Sequence, residues 1–346
     1  MIRPLAEAGG VTATTGLEPQ FRTVGGVRIR CAEGGDPRAP ALLLTSPWPE
    51  SVYAFASVWE TLAPHARLLA VDLPGFGASE TREELLSPRA MGAFLVGLVA
   101  EVELERPHIV GPDVGTAAAL FAAASHPEQI GGLVVGTGGV AVPLDLGEPL
   151  KSWVLDPDLN RYRQMDPEAI VDVAADTVAG GIPYEIRADY RQCYAGERFV
   201  ESMLYVRRYP EQLPELAELL PRIETPVTIV SGRHDPVVPL ANSEFLHERL
   251  PDSRLEVIDG GHSPSTLAMA SSSLLFVGDA NGSRPPRRPR SCSLPFRIWT
   301  ASSGRRRSIP DSAAASCRRC GSKTSTWRTA FSGSSAAGTT RRASSL

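Results

Sequence analysis

Pro107-His-Ile-Val-Gly-Pro-Asp-Val-Gly-Thr116 is the stretch that decides how this chain reads. An apolar run at His108–Val110 ends in Gly111-Pro-Asp113-Val-Gly115, and an alanine-rich run from Thr116 to Ser125 follows. The pattern predicts a strand, a sharp corner and a helix. Glycines on both sides of one residue permit a turn tight enough to lift its side chain clear of a sheet. The helix N-terminus behind that residue favours negative charge through its dipole and its free N–H groups. Taken alone, an aspartate that only caps the helix fits the spacing equally well.

Outward from this corner the chain alternates. Upstream, Phe21–Cys31 reads as two strands joined at Gly25-Gly26. Ala41–Thr45 reads as a buried strand, Ser51–Leu62 as a helix and Leu68–Val71 as a further strand. Ser87-Pro88 has the form of an N-cap with proline at the first helical position, opening a helix to about Glu103. Downstream come a strand at Gly132–Val135, another at Pro226–Val230, a helix at Ala241–Leu250 and a strand at Arg254–Ile258. Strands alternating with helices predict an α/β fold, a mainly parallel sheet with helices on both faces. The alternation breaks between Pro143 and Pro214, where amphipathic segments carry six tyrosines and Trp153. The expected organisation is a flexible N-terminus at 1–20, a core at 21–142 and 215–262, a helical cap at 143–214 and a tail at 263–346.

Two more segments carry chemistry. Val230-Ser-Gly-Arg-His-Asp235 puts an acid just past a strand, and Val257-Ile-Asp-Gly-Gly-His262 puts a histidine after the next one. The order Asp113, Asp235, His262 along the chain is that of nucleophile, acid and base in the α/β-hydrolase fold. His65, His108, His126, His234 and His247 have no convergent partners in this pattern and read as structural. Cys317-Arg-Arg-Cys320 has no second pair beside it, so no metal site is expected, and no cofactor.

Together these segments resemble the branch of the α/β-hydrolase superfamily that holds epoxide hydrolases and haloalkane dehalogenases. The residues carrying the likeness are Trp48-Pro-Glu-Ser51, Asp72-Leu-Pro-Gly-Phe-Gly-Ala-Ser79, the Asp113 corner and the Asp235/His262 pair, within residues 21–262. The resemblance implies a cofactor-free hydrolase acting on a small molecule through an alkyl ester on Asp113. A carboxylate is ionised at neutral pH and needs no base to attack carbon. His262, oriented by Asp235, would then activate the water that cleaves the ester. By resemblance, the oxyanion donors are the backbone amides of Trp48 and Val114.

The chain also departs from that pattern. Ser46-Pro47 stands where the family has His-Gly, and proline offers no N–H. Val114 stands where dehalogenases carry a halide-binding tryptophan, and its side chain donates nothing. An epoxide needs an acid for its departing alkoxide. The segment Met203-Leu-Tyr-Val-Arg207 resembles the family's tyrosine-bearing one, which makes Tyr205 the expected acid; Trp153 is expected to line the same pocket. Epoxide hydrolysis is therefore the first reading, haloalkane dehalogenation the second, and an inactive ligand-binding member the third. The family's helix after the histidine has no clear counterpart in Ser263–Ala270, which predicts a poorly stable protein.

The net charge of −4 conceals two opposite regions: Ser263–Leu346 carries a net +12 and residues 1–262 a net −16. Twenty serines fall within the 84 residues of the tail, whose composition predicts disorder. The same composition is what GC-rich DNA encodes when translated out of frame, and no nucleic-acid partner is expected from it. Five scattered cysteines form no disulfide framework. No apolar run is long enough to cross a membrane and Met1–Gln20 does not resemble a signal peptide, so a cytoplasmic location is expected. Oligomeric state is not legible.

Overall fold

The computed structural model describes residues 16–178 and 181–262. These lie in the first of two units of the chain, Met1–Arg284. Most of the flexible N-terminus expected from sequence and all of the 263–346 tail fall outside the described residues. Within the expected N-terminal segment, Leu17 is buried and Gln20 already belongs to a strand.

Among the described residues eight strands form one sheet: β1 (Gln20–Val24), β2 (Val27–Gly35), β3 (Ala41–Thr45), β4 (Arg67–Val71), β5 (His108–Pro112), β6 (Gly132–Gly136), β7 (Val227–Gly232) and β8 (Ser253–Ile258). Their spatial order is β1-β2-β4-β3-β5-β6-β7-β8. β1, β2 and β4 pair antiparallel, and every pairing from β4 through β3, β5, β6 and β7 to β8 is parallel. The α/β expectation therefore holds. β3, β6 and β7 are buried along their whole length, which explains why they read as continuous apolar runs rather than alternating ones. β8 differs: last in the sheet among the described residues, it is partly exposed.

Helices α1 (Ala56–Leu62), α2 (Pro88–Glu101), α3 (Val114–Ser125) and α9 (Ala241–Arg249) accompany the sheet. The Ser87 hydroxyl caps α2 by accepting from the Ala90 amide at 3.3 Å, with Pro88 at the first helical position as read from sequence. Between β6 and β7 lie α4 (Leu150–Leu155), α5 (Pro167–Ala175), α6 (Tyr184–Cys193), α7 (Arg198–Val206) and α8 (Tyr209–Leu219).

The expected end of the cap at 214 falls inside a helix. Pro214 sits within α8, which continues to Leu219 and packs against α2 and α3 of the core. A proline in a helix interior forfeits one backbone hydrogen bond at a cost of about 3 kcal/mol. Burial of Leu213, Leu216 and nearby Leu220 at 0–1% exposure offsets it at roughly 1.5–3 kcal/mol per side chain. Structurally, α8 thus lies against the core.

Candidate active site

Asp113 sits between the end of β5 and the start of α3 with φ 51° and ψ −118°, a left-handed conformation rare for a side chain larger than glycine. Neighbouring strands hold it there. Its amide donates to the Gly136 carbonyl at 3.0 Å and to the Thr137 hydroxyl at 3.3 Å, both at the end of β6. The flanking glycines are needed for closeness. A Cβ on Gly115 would stand 2.2 Å from the Thr45 hydroxyl, and one on Gly111 would stand 2.7 Å from the Gly115 carbonyl. This pair lets α3 lie against β5 and β3 tightly enough to raise the Asp113 carboxylate over their ends.

The Trp48 amide donates to Asp113 Oδ2 at 2.7 Å, and the Val114 amide also stabilises the carboxylate. The residues expected as oxyanion donors therefore both reach Asp113, and Pro47 does not turn the Trp48 amide away. Burial nonetheless raises the Asp113 pKa; the nearby charge of His262 and the two amides oppose that rise.

Asp235 follows β7 and His262 follows β8. The Arg233 amide to the Ile258 carbonyl and the His234 amide to the Gly260 carbonyl, each 2.9 Å, stitch the two loops together. Asp235 is oriented by the Val237 and Val238 amides, both at 2.8 Å from Oδ1, which leaves Oδ2 to hold His262 Nδ1 at 2.8 Å. With Nδ1 engaged, Nε2 is the ring nitrogen available for chemistry. Burial works against a charge on His262, but Asp235 above all, then Asp113 and Glu50, outweigh it and raise its pKa to about 9.

Glu50 is the residue that sequence reasoning passed over, although it was read as part of Trp48-Pro-Glu-Ser51. Its carboxyl lies in the field of both Asp113 and His262, and burial first, with Asp113 adding, raises its pKa to about 7. The Tyr190 hydroxyl donates to Glu50 Oε2 at 3.3 Å. An acid two residues beyond an aromatic-proline pair, on a loop facing the corner aspartate, was the available signal.

Tyr205 departs from its expected role. It is fully buried, and its hydroxyl donates to the Val114 carbonyl at 2.7 Å. Its proton is committed to the backbone of the corner rather than aimed over the carboxylate. The hydroxyls of Tyr162, Tyr190 and Tyr194 are also engaged, with Asp156, Glu50 and the Glu50 carbonyl, and Tyr184 is exposed. Tyr209 is different. It is buried, its pKa is raised well above 10 by burial and then by Tyr205 and Asp113, and its hydroxyl bonds to no described residue. Sequence reading counted it among the cap tyrosines without separating it from the rest.

Trp153 on α4 and Phe199 on α7 close on the Trp48 ring, with centroids 5.3 Å and 5.0 Å away. Trp48 Nε1 is buried with no hydrogen-bond partner among the described residues. Among the described residues no group of three or more His, Cys, Asp and Glu is arranged to hold a metal, and no helix is long and apolar enough to cross a membrane.

Residues 40–266 match the family described as alpha/beta hydrolase fold. The chain belongs to the alpha/beta hydrolase family. Within this hydrolase family, a poly(3-hydroxyalkanoate) depolymerase of Ectopseudomonas oleovorans is 26% identical over 210 residues, 59% of this chain and 71% of that protein. A 2-hydroxy-6-oxononadienedioate/2-hydroxy-6-oxononatrienedioate hydrolase of Paraburkholderia phymatum is 30% identical over 201 residues, 55% of this chain and 68% of its own. Among solved structures, haloalkane dehalogenase DbeA of Bradyrhizobium elkani superposes with a TM-score of 0.65 at 21% identity, covering 76% of this chain and 98% of the other. The epoxide hydrolase CorEH superposes with a TM-score of 0.64 at 17% identity, covering 76% and 99%. At these identities the two structures speak for the fold alone.

Proposed function

We propose that this alpha/beta hydrolase opens epoxides through an alkyl ester on Asp113. The observation that carries the reading is a carboxylate at the strained corner, held by the Trp48 amide at 2.7 Å, with a His262–Asp235 pair in its field.

One Asp113 oxygen attacks an epoxide carbon, the carbon–oxygen bond breaks, and the departing alkoxide takes a proton from Tyr209. That role passes from Tyr205 to Tyr209 because Tyr205 spends its proton on the Val114 carbonyl. Forming the ester removes the Asp113 charge, one of those that hold the His262 pKa near 9. The imidazole therefore becomes neutral more readily just when a base is required. It takes a proton from water through Nε2, and the oxygen of that water adds to the ester carbonyl carbon. The tetrahedral oxyanion is stabilised by the Trp48 and Val114 amides. Collapse frees the diol and returns the carboxylate, and the histidine proton restores the tyrosine.

Haloalkane dehalogenation is the second reading, favoured by the unpartnered Trp48 Nε1, a buried donor suited to a halide. Only one such side-chain donor supports it, because Val114 offers none.

The two readings share the covalent step, and a trap tests it. His262→Gln incubated with styrene oxide is expected to gain the mass of one substrate on the peptide bearing Asp113, with wild type releasing diol. Absence of the adduct from a variant that no longer turns over would remove the covalent mechanism. Halide release from 1-bromobutane at a higher kcat/KM than diol formation from styrene oxide would instead favour the second reading.

A further inference from the structure

We propose that Asp189, on cap helix α6, is a positioning residue: through Ser51 and Arg30 it holds the loop that presents the Trp48 amide and Glu50 to Asp113. The catalytic consequence rests on the functional reading above, whereas the structural one does not.

Arg30 on β2 sits at the centre of a buried cluster. Its Nε donates to Asp72 Oδ2 at 2.7 Å, and its two terminal nitrogens donate to the two oxygens of Asp189 at 2.6 and 3.0 Å. Two carboxylates thus share one guanidinium, with side-chain exposures of 8% for Arg30, 0% for Asp72 and 16% for Asp189. Burial opposes the charge on Arg30, but the carboxylates prevail and its pKa is raised. Asp72 is saturated by the Val52 and Ala78 amides, which fixes it within the core. Asp189 belongs to the cap, so the bidentate pair fastens one element to the other.

Asp189 has a second partner. The Ser51 hydroxyl donates to its Oδ2 at 2.7 Å, and Ser51 directly follows Glu50. The neighbouring turn of α6 reaches the same loop. Tyr190 donates to the Glu50 carboxyl at 3.3 Å, and Tyr194 donates to the Glu50 carbonyl at 3.0 Å while accepting from the Gly77 amide at 3.0 Å. The loop from Trp48 to Ser51 is therefore gripped from the cap at its side chains and its backbone. Only two residues, Pro49 and Glu50, separate the Ser51 anchor from Trp48. A few tenths of an ångström lost at that amide weakens a charge-assisted hydrogen bond that the ester-cleaving step needs.

Asp189→Asn keeps the shape and removes the charge and the bidentate acceptance. Ser51→Ala removes the bond to Asp189 and a longer, 3.4 Å bond accepted from the Tyr53 amide, and no charge. Hydrogen exchange followed by mass spectrometry reads the loop itself, on peptides spanning residues 44–53. Exchange there is expected to rise at least fivefold in both variants, with peptides from β5, β6 and β7 as protected as in wild type. With styrene oxide, kcat and KM are expected to fall together by about tenfold, leaving kcat/KM within about threefold, with alkyl-enzyme accumulating during turnover. A general loss of stability would raise exchange everywhere and would not select the ester-cleaving step.

Unchanged exchange over 44–53 in folded Asp189→Asn, or uniform exchange increases over the sheet peptides, overturns the proposal. If Asp189→Asn does not fold, Ser51→Ala decides on the same readings. Should wild type turn over no substrate, the functional reading fails, and the exchange data still judge the role of Asp189.

Discussion

The amide of Trp48 and the carboxylate of Asp113, 65 residues apart in sequence, meet across 2.7 Å where β3 and β5 end side by side. The donor that would stabilise an oxyanion on Asp113 is thus already trained on the side chain that would carry it. Little reorganisation is needed when the charge develops, and such preorganisation is typically the largest electrostatic contribution to a step of this kind.

Tyr209 and Tyr205 should separate cleanly by mutation. Tyr209→Phe is expected to lower kcat/KM for an epoxide by at least about a hundredfold, the usual scale of a general acid. Tyr205→Phe removes the hydrogen bond to the Val114 carbonyl and is expected to cost about 1–2 kcal/mol of stability while leaving kcat/KM within about fivefold. Steady-state kinetics and urea unfolding on the two variants check both halves, and the reverse pattern would restore Tyr205 as the acid.

The pH dependence of kcat should report His262 in the ester intermediate. Ester cleavage requires neutral imidazole, so kcat is expected to rise with pH and level off. The apparent pKa should lie below the value of about 9 that the intact Asp113 charge helps to impose. A kcat that falls between pH 6 and 9 would be incompatible with His262 as the base.

Stability should fall as pH rises, for reasons confined to the site. Glu50 has its pKa raised from 4.5 to about 7, so the folded state binds more protons than the unfolded one between those values, and raising pH across that window destabilises it. His262 is raised from 6.5 to about 9, so its contribution is complete below 6.5 and is lost as pH climbs through 9. Each contributes on the order of 1–3 kcal/mol. Urea midpoints measured from pH 5 to 9 should decline, and Glu50→Gln should flatten the lower part of that decline. A profile identical to wild type would show that Glu50 is not protonated as described.

Substrate charge should matter as well. The charges that act most on Asp113 are those of His262 and Asp235, and Glu50 adds a further carboxyl. An anionic substrate would enter among these carboxylates. Styrene oxide is expected to exceed its para-carboxylate analogue by about tenfold in kcat/KM, equivalent to about 1.4 kcal/mol. Equal efficiencies would mean that a cation elsewhere in the pocket compensates.

Much of this was legible in the sequence because the information was local. The Gly111–Gly115 spacing, the Ser87-Pro88 cap and the buried runs of β3, β6 and β7 depend on neighbours along the chain. Asp113, Asp235 and His262 stand at strand ends whose order the fold dictates. The remainder was not local. Tyr205 and Tyr209 lie four residues apart, and the direction of each hydroxyl is decided by how α7 and α8 meet α3. Glu50 owes its high pKa to burial and then to Asp113, against the opposing effects of Tyr190 and His262, and Asp189 meets Arg30 across 159 residues. Pro214 marked the end of the break in alternation, but α8 runs through it to Leu219 because its apolar side is buried on the core.

Isotope placement tests the covalent reading most directly. A single turnover of excess wild-type enzyme on styrene oxide in water enriched in oxygen-18, followed by proteolysis and mass spectrometry, reports where the water oxygen goes. Mass gained in the Asp113 peptide, with unlabelled diol, is the outcome this mechanism requires. Labelled diol and an unlabelled Asp113 peptide would mean that water attacks the epoxide directly and that no ester forms.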